Sequence, residues 1–397
     1  MEYDLVIKAK QLVTLRGGVR VKEKMKELNI IEDGMVAIKD KRISYVGEKK
    51  TVNSKEEIST GVAMPSFIDA HTHLLFYGSR EDEFEMRIEG LSYNEILKKG
   101  GGIWRTVDET KKAGDAEILK VAKERLCYLL EHGTTVVEIK SGYGIDPKEE
   151  IRELRLINEL KNNSELTIVP TLLAHLKKDK KWLKDFIEII PFVAYNNLAK
   201  FVDSFCDLGA LSYEDTDVIF AEAKKYGLGL KAHVGELEDI GCGKLVEKYD
   251  LASIDHIVYL DEKSLEQAIK KGTCGVLLPA TTFSLMQNHA NAKKYIEKGL
   301  IVALASDFSP ASWISDMQSV ISIACRELKM TQAECIAAST INAAYSLGIH
   351  NDYGSIEEGK FADITTFDVP NYKWIGYTLG YNHVEIVIKH GKKVLER

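Results

Sequence analysis

Gly61-Val62-Ala63-Met64-Pro65-Ser66-Phe67-Ile68-Asp69-Ala70-His71-Thr72-His73 is the stretch whose reading decides the fold. The apolar run Gly61-Val62-Ala63-Met64 reads as a buried strand feeding two histidines at i and i+2. Alternate residues of an extended chain point to the same face, so His71 and His73 project together. Two imidazoles converging from one strand end can grip a transition metal.

Downstream of this stretch, apolar β-branched runs alternate with charged amphipathic segments, the pattern of a parallel sheet with covering helices. Val136-Val137-Glu138-Ile139 leads to Lys140, and Leu166-Thr167-Ile168-Val169-Pro170 to His175. Phe201–Phe205 leads to Cys206-Asp207, Leu228–Ala232 to His233, and Ala252-Ser253-Ile254 to Asp255-His256. Cys274–Leu278 leads to Pro279, and Ile301–Ser306 to Asp307. With the first run these make eight strands, and the segments between them carry helix-start signals. Asp146-Pro147 and Asp261-Glu262 place an Asp at N-cap, and Thr331-Gln332-Ala333-Glu334 reads as a later entry cap. The expectation is an α/β fold, a (β/α)8 TIM barrel whose functional groups stand at the C-terminal strand ends. Five of the ten histidines (His71, His73, His175, His233, His256) fall at such ends.

Upstream, residues 1–60 read as short strands: Asp4–Lys8, Leu12–Leu15, Val36–Lys39 and Arg42–Val46, with Asp40-Lys41 as a hairpin turn. The far end returns to strands at Asp363–Phe367 and Val384–Ile388. Both ends are therefore expected to meet as one small β-sandwich domain, 1–60 plus 351–397, beside a catalytic barrel over 61–350. The connection from residue 74 to 132 is longer than an ordinary βα loop and reads as a lid or substrate clamp.

Sixty acidic against 53 basic residues give a net charge of −7 with the signs interspersed, which argues against a nucleic-acid surface. No apolar run reaches the roughly 18 residues that suggest a membrane span. The N-terminus has neither a basic region nor a long apolar region, so no signal peptide is expected. Six cysteines without a C-x-x-C pair read as reduced, mostly buried thiols of a cytoplasmic protein.

Around one ion, His71, His73, His233 and Asp307 make a site suited to a single divalent Zn2+ or Fe2+. Such an ion lowers the pKa of water from 15.7 towards ~7 and polarises a carbonyl or amidine carbon. Glu236, three residues past His233, and His256 are the candidates for moving protons, with Asp307 doubling as ligand and proton acceptor. Arg80 suits a substrate carboxylate. Tyr143 is a candidate substrate contact, and His175 is either a substrate contact or a further metal ligand. Lys140 as a bridging carbamate in a two-metal site is the weaker alternative, because no second ligand set accompanies it.

These residues resemble the amidohydrolase superfamily. The resemblance rests on Gly61–His73 and on Gly354-Ser355-Ile356-Glu357-Glu358-Gly359-Lys360-Phe361-Ala362-Asp363. Within it the chain is similar to the imidazolonepropionase family. The motifs are Gly78-Ser79-Arg80 with Phe84-Glu85-Met86-Arg87, Gly100-Gly101-Gly102-Ile103, Glu138-Ile139-Lys140-Ser141-Gly142-Tyr143-Gly144, Ala174-His175, Asp255-His256, Asp368–Tyr372 and Asn382-His383-Val384. The resemblance implies metal ligands at His71, His73, His233 and Asp307, an anion-binding Arg80, substrate contacts at Tyr143 and His175, and acid/base groups at Glu236 and His256. It implies hydrolysis of the cyclic amide of 4-imidazolone-5-propanoate, a small anionic substrate, and a homodimer. Two loops that touch substrate in the family depart from its pattern: Ser309-Pro310-Ala311-Ser312, where Asn and Gly are usual around the proline, and Pro279-Ala280-Thr281-Thr282-Phe283. Ser309, Ala311 and Ser312 are carried as substrate-loop positions. Two other readings are a mononuclear aminohydrolase acting on a nucleobase, which needs no anion clamp, and an inactive scaffold, which would be expected to have lost metal ligands.

Overall fold

The computed structural model describes residues 2–91 and 93–397. The chain opens with β1 (Glu2–Val13), β2 (Ile30–Lys39), β3 (Arg42–Glu48) and β4 (Asn53–Pro65). The stretches 4–8 and 12–15, read separately from sequence, are largely joined in the single strand β1, because the intervening Ala9-Lys10-Gln11 keeps the ladder to β2 and β4. Asp40 turns the β2–β3 hairpin with φ of +56°, a conformation Asp tolerates better than most residues.

The barrel follows as β5 (Phe67–Asp69), β6 (Thr134–Lys140), β7 (Thr167–Ala174), β8 (Phe201–Cys206), β9 (Gly229–Val234), β10 (Ser253–His256), β11 (Cys274–Leu277) and β12 (Ile301–Leu304). The chain ends with β13 (Ile364–Phe367), β14 (Val384–Lys389) and β15 (Lys392–Glu396). The eight barrel strands are parallel and lie in sequence order. The ring is closed beyond the last strand. Asp307 N donates to His71 O at 3.0 Å and His73 N donates to Phe308 O at 2.9 Å. The closing bonds are thus made by the segments that carry the candidate ligands.

One expectation needs correcting. The run Gly61–Met64 is not a barrel strand. It lies in β4, pairs parallel with β1 and antiparallel with β13, and belongs to the terminal sheet. The handover falls at Ser66, whose N–H donates to Asp363 O while Phe67 N donates to Gly133 O on the barrel side. A continuous apolar run satisfies either sheet, so the run itself does not choose.

The terminal sheet has the order β15-β14-β13-β4-β1-β2-β3. It curls so that its two ends enclose one core. Val36 and Ile38 of β2 pack in the same cluster as Ile386 and Ile388 of β14. The hairpin turns at each end meet, and a Cβ on Gly391 would come 2.6 Å from Asp40 O. Gly391, with φ of +75°, is needed there for both reasons. This is the β-sandwich built from both chain ends.

Inside the barrel the lower layer is apolar, with Ile68, Val136, Val169, Phe201 and Val276 buried together. Above it the layer is ionic. Lys140 Nζ lies 2.6 Å from Asp203 Oδ2 and 2.8 Å from Glu138 Oε2. Lys231 Nζ lies 2.7 Å from Glu138 Oε2 and donates to Ala70 O at 2.9 Å. All four side chains are fully buried.

The helix starts are as read, with one difference. Asp261 Oδ1 accepts the N–H of Ser264, and Thr331 with Glu334 forms a capping box. Asp146 precedes the helix Pro147–Asn163, but its carboxylate pairs instead with Lys111 and Lys178. Among the described residues no helix is long and apolar enough to cross a membrane.

The cysteines also differ from expectation. Cys206 and Cys242 form a disulfide, with Cα atoms 6.0 Å apart, inside the usual range for such a bridge. Cys274 and Cys335 are buried free thiols, and Cys127 is exposed. A pair 36 residues apart has no local signature. The loop after β9 folds back over the end of its neighbour β8, and that fold brings the two sulfurs together.

Candidate metal centre

His71 and His73 follow β5, His233 lies on β9, and Asp307 follows β12. Barrel closure brings Asp307 Oδ1 to 3.4 Å from His71 Nε2 and 3.3 Å from His73 Nε2. His233 Nε2 lies 3.4 Å from His73 Nε2. All four side chains are at least nine-tenths buried. His256, ending β10, joins the same cluster with His71 and His233.

The far side of each ring explains its orientation. His71 Nδ1 is 2.7 Å from Asp255 Oδ2, and His233 Nδ1 is 3.1 Å from Asp203 Oδ1. A carboxylate there takes the N–H, so the Nε2 lone pair faces the cluster. His71 Nε2 and Asp307 Oδ1 are buried with no hydrogen-bond partner. Orphaned lone pairs converging on one point are what a cation would satisfy. Three imidazoles and a carboxylate fit a divalent transition ion. Asp307 Oδ2 is held by the Thr281 hydroxyl at 2.6 Å.

The backbone is strained where the cluster is assembled. His256, Ile257 and Asp307 have φ of +70°, +44° and +51°. Such conformations cost on the order of 1–3 kcal/mol each and persist only when the surroundings over-determine them.

A cavity of about 480 Å3 opens over the cluster. Arg80, Tyr143, His175, Glu236, His256, Ser309 and Ala311 all line it. Ser312 does not reach it: its side chain is fully buried, with its hydroxyl 3.3 Å from that of Ser284. Arg80 is 5% exposed, and its Nε has no hydrogen-bond partner among the described residues. Its Nη1 is 3.9 Å from Glu83 Oε2, too long for a close pair. Glu83 is instead fixed by Gly102 N at 2.7 Å. The long connection 74–132 thus forms one wall of the cavity, through Arg80, Arg87, Leu91 and Ile103.

Burial pushes the Tyr143 phenol well up, so it stays a donor. Burial, helped by the nearby His73 and His233, lowers His175 to about 3, so its ring is neutral. His175 Nδ1 is 3.0 Å from Gly142 O and must donate to it, which leaves Nε2 as an acceptor. Glu236 lies 3.5 Å from His256 Nε2. Burial first, then the Asp307 and Asp207 carboxylates, raise its pKa well above the usual carboxylate range.

Lys140 does not suit a carbamate. Burial alone would discharge it, but Asp203, Glu138 and Asp255 hold its pKa above the usual lysine value. A protonated, fully paired ammonium has no lone pair for carbon dioxide.

Several participants escaped the sequence reading. Asp203 and Lys231 lie mid-strand and look like breaks in apolar runs. Phe205, Leu285, Met286 and Gln287 line the cavity without any motif. Asp203 had one usable signal: a charged residue inside a run buried on both faces needs a partner.

A profile described as the amidohydrolase family matches residues 209–394. The imidazolonepropionase of Thermoanaerobacter pseudethanolicus is 43% identical over 98% of this chain and 97% of its own length. That of Shouchella clausii is 38% identical, over 98% and 92%. The crystal structure of the zinc-complexed atrazine chlorohydrolase of Arthrobacter aurescens superposes with a TM-score of 0.78 at 17% identity, covering 99% of this chain and 95% of that one. The last likeness speaks to the fold. The first two, spanning the ligands, the Arg80 wall and both halves of the terminal sheet, place the protein more narrowly: the chain belongs to the imidazolonepropionase family of amidohydrolases.

Proposed function

We propose that this protein hydrolyses the ring amide of 4-imidazolone-5-propanoate to N-formimidoyl-L-glutamate, a step of histidine degradation. The observation that carries the reading is a buried arginine, with an unpartnered Nε, in the same cavity as the four-ligand cluster. An anionic tail on a small ring answers both features. A nucleobase brings no anionic group to the Arg80 Nε.

His71, His73, His233 and Asp307 hold one divalent ion, zinc or iron. When bound, it supplies Lewis acidity, lowering the pKa of water from 15.7 to about 7 and polarising the substrate carbonyl. The protein's own groups do the rest. Arg80 receives the propanoate by charge-assisted hydrogen bonds. Tyr143 donates its phenol to a ring heteroatom, and His175 Nε2 accepts a ring N–H. Leu91, Ile103, Phe205 and Met286 form the apolar part of the lining, against which bound substrate displaces water and each polar contact strengthens. The C–N bond of the cyclic amide breaks, the water oxygen stays on carbon, and one proton goes to the leaving nitrogen. Glu236 Oε2 and His256 Nε2, 3.5 Å apart, stand where that proton can be held and passed. Ser309 and Ala311 shape the remaining wall. A domain division near Ser66, a homodimer and a cytoplasmic setting complete the proposal.

The test is direct assay with 4-imidazolone-5-propanoate beside a panel of nucleobases, before and after chelator dialysis. Ring opening that is lost on chelation and restored by Zn2+ or Fe2+ supports the reading. Deamination of a nucleobase with no ring opening overturns it.

A further inference from the structure

The structure assigns the Cys206–Cys242 disulfide as a positioning clamp for the Glu236 carboxylate, so that turnover depends on its oxidation state. This rests on the proposed role of Glu236.

The Glu236 carboxylate meets only His256 Nε2, at 3.5 Å, among the described residues. Side-chain bonds therefore do not fix it, and its place is set by the backbone of the loop after β9. That backbone is tied at its start. Gly235 has φ of +59° and O bonded to Tyr259 N at 2.9 Å, and a Cβ there would lie 1.8 Å from Tyr259 O. Asp207 then gathers the next three amides: Oδ2 accepts Glu236 N at 2.6 Å and Leu237 N at 3.2 Å, and Oδ1 accepts Glu238 N at 3.1 Å. Asp207 follows Cys206 directly.

Beyond Glu238 the ties thin out. Ile240 is 39% exposed. Among the described residues the loop makes no further hydrogen bond to the barrel before Cys242, which returns to β8 through the disulfide. The bridge thus closes residues 234–242 onto the strand whose next residue caps Glu236. Both sulfurs are buried, so the clamp is fastened inside the fold. Reduction breaks the S–S bond. A dithiol reductant supplies two electrons and two protons and is itself oxidised to a disulfide. The loop then keeps its Asp207 ties at one end and only the packing of Leu245 and Val246 beyond the other, and small misplacements of a reacting group are costly, up to about 100-fold per ångström.

The experiment compares the full-length wild type with C206S/C242S. Unfolded without reductant, the wild type should show four reactive thiols, and six after reduction. Backbone amides of 235–241 should exchange faster in the double variant and in dithiothreitol-treated wild type. Turnover should fall about tenfold with KM changed less than twofold, and the pH–rate limb belonging to Glu236 should move. The double variant should be indifferent to reductant. If the double variant fails to fold, the reductant series on the wild type, below its melting temperature, carries the same readouts. Six thiols without reductant, or unchanged exchange and pH profile on reduction, overturn the clamp. Absence of ring opening in the untreated wild type sinks the functional reading instead, while thiol count and exchange still judge the clamp.

Discussion

Asp255 Oδ2 lies 2.7 Å from His71 Nδ1, both groups fully shielded from solvent. The same Asp255 oxygen is 3.5 Å from Lys231 Nζ and 3.8 Å from Lys140 Nζ. The ionic layer therefore keeps this carboxylate charged, and the charged carboxylate selects the His71 tautomer. Asp255→Asn removes that preference while keeping the volume. Metal affinity, measured by competition with a chelator of known strength, should fall roughly 10–100-fold. Affinity equal to wild type would remove the orienting role.

Arg80 is poised for an anion and for little else. Arg80→Ala should raise KM by roughly 10–150-fold, the worth of a charge-assisted contact of about 1.5–3 kcal/mol, with much less change in kcat. Steady-state kinetics decide it. An unaltered KM would argue for a substrate without a carboxylate tail.

Lys140 holds the ionic layer together. Lys140→Met leaves Asp203 without its ammonium partner and Glu138 with Lys231 alone in the barrel interior. Breaking one side of such a buried pair costs about 3–5 kcal/mol. Thermal or urea unfolding should show a loss of that size. A carbamate role predicts activity that responds to added bicarbonate, and no such response is expected.

Glu150 supplies a pH dependence. It accepts the N–H of Ile145 at 2.6 Å in the turn that presents Tyr143, and burial raises its pKa to about 7. Between the ordinary value of 4.5 and about 7, the folded protein holds a proton that the unfolded chain has released. Its contribution to stability is therefore present below pH 4.5 and is lost as pH rises through 7. Glu150→Gln should remove the loss, stabilising the protein at pH 8 by on the order of 1–3 kcal/mol and having little effect at pH 4.5. Melting curves of both proteins across this range check the sign. A variant destabilised equally at both pH values would contradict it.

The sequence alone determined which residues could do chemistry. Eight apolar runs, seven of them ending in polar groups, are local patterns, and a parallel barrel gathers such ends on one face whatever the helices contain. The gathering of His71, His73, His233 and Asp307 at one rim was legible for that reason, as was that of Tyr143 and His175. Tertiary structure decided everything that depends on which neighbour a residue meets. The run 61–64 joined the terminal sheet because β1 and β13 flank it, although its side chains would suit a barrel strand as well. Lys140 and Lys231 became counter-charges because Glu138, Asp203 and Asp255 face the same interior. Ser312 turned towards Ser284, away from the cavity. Cys206 met Cys242 because adjacent strands share a rim. Periodicity reports how much of a side chain is buried, and burial is a local demand; pairing is a relation between distant segments, and only closure of the ring establishes it.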